Sequence, residues 1–278
     1  MAESDVDFAT RAPHPALRHL VRRYIGYTQH DVGLAVHRGL PSGTVTLIIS
    51  LAEPIRMVGG PGGGRAGQAV VGGLHLEPTL IEQDRFQQGL HIELNPVGLR
   101  ALLGVPATEL TSDVIDVAEL PVRWAASLPD RLAAQPTWAE RFALLDAEFA
   151  GALRPVTLVA EVQWAWRRMV TGRGAQQVND LADEVGWSRR HFTSRFAREV
   201  GLGPKQVSRL IRFERGASLI RAGQPLAEAA ITAGYYDQAH MTNEWRSFAG
   251  CTPATWVREE LPFLQDLSDE DSAQSPHD

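Results

Sequence analysis

A short unit occurs twice near the C-terminal end, and the duplication constrains the fold more than any other part of the chain. VNDLADEVGWSRRHFTSRFAREVGLGP (178–204) aligns with LAEAAITAGYYDQAHMTNEWRSFAGCTP (226–253). Val178, Leu181, Ala182, Val185 and Gly186 match Leu226, Ala229, Ala230, Ala233 and Gly234 at a constant offset of 48. One inserted residue makes the offset 49, and His191, Phe192, Phe196, Gly201 and Pro204 then match His240, Met241, Trp245, Gly250 and Pro253.

Each copy has the pattern of a helix-turn-helix. Two helices crossing steeply over a short turn need a small residue where their backbones approach, here Ala182 and Ala230. They also need a residue that tolerates positive φ in the turn, here Gly186 and Gly234. Phe192 and Phe196 seat the second helix of the first copy, and Met241 and Trp245 that of the second. Ser188 and Asp237 are the expected N-caps, and Gly201 and Gly250 the expected stops before Pro204 and Pro253.

A fixed buried stripe fixes the exposed one. The outward residues are Arg189, Arg190, Thr193, Ser194 and Arg198 in the first copy, and Gln238, Ala239, His240, Asn243 and Arg246 in the second. An α-helix fits the major groove of B-DNA, where Arg pairs with guanine, Gln or Asn with adenine, and Ala or Thr packs on the thymine methyl. His191 and His240 are equivalent in the alignment, but the insertion leaves open whether both reach the surface.

Between the copies, PKQVSRLIRFERGASLIRAGQP (204–225) carries Val207, Leu210, Ile211, Ala217 and Ile220 at helical spacing, with breaks at Gly223 and Pro225. A continuous helix of about 18 residues spans roughly 27 Å. That length suits two recognition helices entering successive major grooves about 34 Å apart. Arg209, Arg212 and Arg215 are candidates for phosphate contacts or for pairs with Glu199 or Glu214.

The net charge of −6 argues against a nucleic-acid partner until it is divided. Residues 1–172 hold 15 Lys+Arg and 18 Asp+Glu, residues 173–258 hold 12 and 8, and residues 259–278 hold 0 and 7. A basic segment is therefore hidden between an acidic body and an acidic tail, the latter expected to end in disorder.

The first third has β character. TVTLIISL (44–51), AVVGGL (69–74) and GLHIEL (89–94) are rich in β-branched residues and separated by Gly and Pro, as in short antiparallel strands. GGPGGGRAGQ (59–68) lacks the Gly-Lys-Ser/Thr ending and the following helix of a phosphate loop, so it is expected to be a strand connection. From NPVGLRALLGVP (95–106) onward the period is helical. Leu132, Trp138, Phe142, Leu145 and Phe149 predict one amphipathic helix, and Val159, Val162, Trp166, Met169 and Val170 another, with Pro155 in its first turn. Trp124, Trp138, Trp164 and Trp166 concentrate apolar area there, either as helix-on-sheet core or as a surface for a second subunit. TGRGAQQ (171–177) reads as a linker.

The expected fold class is α+β: a β-rich N-terminal domain, with a cupin as one candidate form, then an all-α domain of two helix-turn-helix units joined by a central helix. The domains read as 1–120 regulatory, 121–172 helical linker and candidate dimerisation segment, 173–258 DNA-binding, and 259–278 tail.

The C-terminal segment is similar to the AraC/XylS family of bacterial transcription regulators. The resemblance covers residues 173 to about 257, including the G-x-x-P ending in GYYDQAHMTNEWRSFAGCTP. It implies base contacts from Arg190, Thr193 and Ser194 in the first unit and from Gln238, Ala239, His240 and Asn243 in the second. It implies phosphate contacts from Arg189, Arg198 and Arg246. Trp245 stands where the family commonly has Phe, and Met241 is a second departure. HRGLPSGTVTLIISL and NPVGLRALLGVPATEL resemble the N-terminal domain of one subgroup. The family implies double-stranded DNA and RNA polymerase as partners, activation of transcription, a small-molecule effector and a homodimer, with no cofactor.

Two enzymatic alternatives stand beside this reading. In a metal-dependent cupin-like enzyme, His30, His37, His75 and His91 would supply ligands, but no His-x-His pair, HExxH or Gly-x-Ser-x-Gly occurs. Some AraC-like proteins transfer methyl groups through cysteines, and Cys251 is the sole candidate here; a structural thiol reads better. No catalytic or metal residue is assigned. The acidic, polar start of the chain is unlike a signal peptide and no apolar run is long enough to span a bilayer, so a cytoplasmic protein without a membrane partner is expected.

Overall fold

The computed structural model describes residues 6–124, 126–156 and 159–260. Residues 261–278, nearly all of the expected tail, lie outside the described residues.

Two antiparallel sheets form the N-terminal part, with strands numbered along the chain. The larger has the order β1 (Val6–Arg11), β2 (Val21–Gln29), β9 (Gln87–Leu94), β4 (Val45–Ser50), β7 (Ala69–Gly72), β10 (Val114–Asp116). The smaller has the order β3 (Val36–Gly39), β8 (Thr79–Glu82), β5 (Ile55–Gly59), β6 (Ala66–Gly67). Alternation decides what each face carries. On β4, Val45, Leu47 and Ile49 are fully buried under the helices, and Leu47 aligns with Ile92 of β9 and Val71 of β7 in one apolar row. Thr46 and Ile48 turn the other way, into a cavity of about 990 Å³ whose opposite wall includes Met57, Thr79 and Ile81 of the smaller sheet. A one-residue slip of β4 would send the core row into that cavity. The glycine-rich segment 59–68 joins β5 to β6 through turns at Gly60, Gly62 and Gly64, all at positive φ, and no helix follows it.

The single helix expected over residues 132–149 is two. After the short α1 (Leu99–Leu103), α2 (Leu128–Ala133) stops before Pro136, and α3 (Trp138–Ala152) starts from a capping box in which Thr137 and Glu140 exchange backbone hydrogen bonds. Proline and a strong N-cap override a continuous apolar stripe. Thr137→Ala should therefore lower stability by about 1 kcal/mol, read as a shifted urea midpoint with unchanged slope. Pro155 also departs from expectation, since it lies outside any helix and α4 (Ala160–Thr171) begins five residues later. Val170 faces outward at 47 % exposure, off the buried stripe of Val162, Trp166 and Met169.

The tryptophans are mostly turned inward. Trp124 packs on Phe149, Trp138 stacks on Phe142 and donates its indole N–H to Asp7, and Trp166 lies against Phe196. Trp124 and Trp166 are buried core, while Trp138 and Trp164 are half-buried.

The remaining helices are α5 (Val178–Glu184), α6 (Arg189–Val200), α7 (Pro204–Arg221), α8 (Leu226–Ala233), α9 (Gln238–Ala249) and α10 (Pro253–Glu259). One hydrophobic core runs without a break from the larger sheet into these helices. Two carboxylates also bridge the halves. Glu214 of α7 accepts from the Gly43 backbone N–H at 3.1 Å and from Arg22 at 3.4 Å. Glu260, fully buried, bonds His37 Nδ1 at 2.8 Å and accepts from the Arg38 backbone N–H and guanidinium at 3.1 and 3.0 Å. Glu259 and Glu260, the first two residues of the segment 259–278, are thus bonded to β3.

Candidate nucleic-acid interface

Each helix pair is closed by the same set of local interactions. In the first, the Trp187 N–H donates to the Ala182 carbonyl across a turn in which Gly186 has φ +71°. In the second, the Tyr235 N–H donates to the Ala230 carbonyl, with Gly234 at φ +95°. Ser188 caps α6 by accepting from the His191 N–H, and Asp237 caps α9 by accepting from the His240 N–H at 2.7 Å. Gly201 and Gly250, both at positive φ, end the two helices. The turn, cap and stop residues expected from sequence occupy those positions.

Packing then orients the faces. Phe192 and Phe196 of α6 and Met241 and Trp245 of α9 are fully buried. Trp245 meets Phe213 of α7 at 4.8 Å and Trp256 of α10 at 5.5 Å between ring centroids. All ten expected contact residues are exposed: Arg189, Arg190, Thr193, Ser194 and Arg198 on α6, and Gln238, Ala239, His240, Asn243 and Arg246 on α9. Exposure alone assigns them no contact, but it brings each set onto one helix face. The question left by the insertion has an answer as well. His191 and His240 are both exposed, and each meets the aromatic ring before its cap edge to face, Trp187 at 4.7 Å and Tyr235 at 5.3 Å.

Charge on the central helix is used differently from expectation. Arg209 and Arg212 pair with Glu244 of α9, at 2.6 and 3.6 Å, and not with Glu199 or Glu214. Glu244 is buried and lies under Tyr235, whose hydroxyl is pushed up by burial and then by that carboxylate. This cluster ties α9 to α7. Sequence reasoning missed it because Glu244 sits on α9 among the exposed residues, while its partners Arg209 and Arg212 lie on another helix. By contrast, among the described residues Arg189, Arg190, Arg198 and Arg246 form no ion pair, and Arg246 donates only to Asn243, at 3.3 Å.

Of the four histidines weighed as metal ligands, His37, His75 and His91 line the cavity and His30 does not, and each has its own partner or setting. His30 lies on the Phe86 ring, His37 bonds Glu260, His75 bonds the Glu77 carbonyl, and His91 faces the cavity with its pKa lowered by burial. No group of three metal-ligating side chains occurs among the described residues. Cys251 is half-buried, and burial pushes its thiol up, away from the reactive thiolate. Among the described residues no helix is long and apolar enough to cross a membrane.

Comparison with known proteins places both halves. A helix-turn-helix domain family matches residues 181–259, and a domain family of unknown function, DUF6597, matches residues 9–116. An uncharacterized HTH-type transcriptional regulator of Bacillus subtilis, YbfI, is 33 % identical over 64 residues, which span 23 % of this chain and 23 % of that protein. ToxT from Vibrio cholerae shares the fold over 93 % of this chain and 99 % of its own, at 9 % identity and a TM-score of 0.51. A second ToxT structure, bound to (E)-4-(8-methylnaphthalen-1-yl)but-3-enoic acid, matches over 93 % and 99 % at 8 % identity and a TM-score of 0.50. Residues 181–259 thus match a helix-turn-helix domain family, carried behind an N-terminal β domain in the fold that ToxT shares.

Proposed function

We propose that the chain is a sequence-specific transcription regulator that reads two successive major-groove segments of double-stranded DNA through α6 and α9. The observation that carries this reading is the repetition of one scaffold with two exposed, chemically suited faces, both braced on α7. Arg190, Thr193, Ser194, Gln238, Ala239, His240 and Asn243 would contact bases, while Arg189, Arg198 and Arg246 would hold phosphates. We read the chain as a regulator and not as an enzyme, divided into residues 1–120, 121–172, 173–258 and 259–278. Activation through RNA polymerase and pairing of two copies rest on the family resemblance alone.

The cavity between the sheets is the place for a small-molecule effector. It reaches the face of α7 at Glu214, Ala217 and Arg221, so a ligand there would touch the helix that braces both reading faces. That ToxT, in the same fold, holds an organic acid supports a ligand reading.

Selection from randomised duplex DNA with the full chain tests the proposal. Two enriched blocks about one helical turn apart are expected; no enrichment with or without candidate effectors would defeat it. On the enriched duplex, Arg190→Ala should cost about 1 to 3 kcal/mol and relax preference at one base position. Equal losses on enriched and random duplex would move Arg190 to the phosphate backbone.

A further inference from the structure

The two helix-turn-helix units differ by one residue, and the structure shows which. Trp187 and Tyr235 are equivalent, because each closes its turn with an N–H donated to the alanine five residues before. Ser188 and Asp237 are equivalent, because each caps its helix by accepting from a histidine N–H three residues on. The residue without a counterpart is Tyr236. It stands two positions before the start of α9, next to the cap, where the chain passes in a fully extended conformation through Asp237 (φ −157°, ψ 178°).

Tyr236 is 86 % exposed, the most exposed of the large apolar and aromatic side chains described. Its neighbour does the structural work. Tyr235 is buried, packs edge to face on His240 and lies under the Arg212 guanidinium at 5.6 Å. The Tyr236 backbone is fixed as well, its N–H reaching His240 Nδ1 at 3.4 Å. A large ring on a fixed backbone, with no packing duty, therefore projects beside the N-terminal end of a helix whose following residues, Gln238 and Ala239, are reading candidates. Recognition helices approach the groove by their N-terminal residues, with the sugar-phosphate strands on either side. Tyrosine hydroxyls are among the groups that hold those strands.

From this the geometry points to Tyr236 as a further DNA contact, present only in the second unit, that donates its hydroxyl to a backbone phosphate flanking the groove occupied by α9. It fixes the register of that helix and reads no base. The inference rests on the regulator reading proposed above.

The test uses the full chain and a duplex enriched by it from a randomised pool. Tyr236→Phe should weaken binding about 3- to 10-fold, the loss of one neutral hydrogen bond, with Tyr236→Ala only slightly worse. Base preferences should stay as they are in the unsubstituted protein. The salt dependence of binding should also be unchanged, since a neutral hydroxyl releases no counterion, whereas Arg246→Ala should reduce that slope by about 1. Both variants should keep the unfolding midpoint of the parent, because the ring is exposed. Wild-type affinity in both would overturn the contact. Altered base preference in Tyr236→Ala with Tyr236→Phe unaffected would make the ring a base reader and overturn the phosphate assignment. Failure of the unsubstituted chain to enrich any duplex would bring down the regulator reading and this inference with it, and is seen before any variant is made.

Discussion

Replacing Glu260 by alanine is expected to destabilise the whole chain by about 3 kcal/mol and to loosen α10 from the β domain. The carboxylate is fully buried, and three polar groups of β3 meet it: His37 Nδ1, the Arg38 N–H and the Arg38 guanidinium. Removing one member of a buried pair costs about 3 to 5 kcal/mol because the other charge stays behind without compensation. The lower end applies here, since Arg38 keeps Glu259 at 3.0 Å and is itself partly exposed. Glu260→Gln retains an acceptor for the Arg38 N–H and should lose roughly half as much. Urea unfolding checks both. Proteolysis should report the same event as earlier cleavage near 252–260. Unchanged midpoints for both variants would mean that the anchor contributes nothing and that the apolar core alone holds the halves together.

Glu260 also marks the limit of what the sequence makes legible. Its partners lie more than 220 residues earlier, and a Glu in a segment without Lys or Arg, 259–278, looks like solvent-exposed chain. The helix-turn-helix units, by contrast, are specified within short windows. A small residue at the crossing, a glycine in the turn, a capping side chain and a buried pair of large apolar residues all act over fewer than thirty residues, so their spacing shows in the string of letters. The β domain lies between these cases. β4, β7 and β9 are apolar enough to be seen, while β2 is not, because Arg22 and Arg23 interrupt its alternation. The structure accounts for them: β2 carries an irregularity between Val21 and Arg23, and Arg23 pairs with Glu93 on the adjacent strand at 2.6 Å. A cross-strand partner about seventy residues away gives no local signal. The exposure of the ten candidate contact residues was legible for the reason that hid the Arg209–Glu244–Arg212 cluster. Fixing a buried stripe shows which side chains point outward, but it does not show which charges a neighbouring helix will claim.

The same locality separates α6 and α9, the two proposed reading helices, energetically, and a second large effect follows. Trp245→Ala should cost about 3 to 5 kcal/mol and remove the enriched block read by α9 while leaving the block read by α6. Trp245 is fully buried and meets both Phe213 of α7 and Trp256 of α10, and Phe248 of α9 meets Phe213 beside it. Truncating it leaves a cavity beneath the whole second reading face. The first face stands on other supports, Phe196 against Trp166 of α4 and Phe192 against Phe196, so loosening α9 should reach α6 only through α7. Trp245→Phe provides the control. It removes an indole N–H that has no acceptor among the described residues, and this relief offsets part of the lost volume, so the change should stay below about 1.5 kcal/mol and both blocks should remain. If Trp245→Ala instead abolishes both blocks at a temperature where circular dichroism shows the chain still folded, the two helices do not read independently. α7 would then transmit the position of one reading face to the other, and the cavity that opens against α7 would act on both at once.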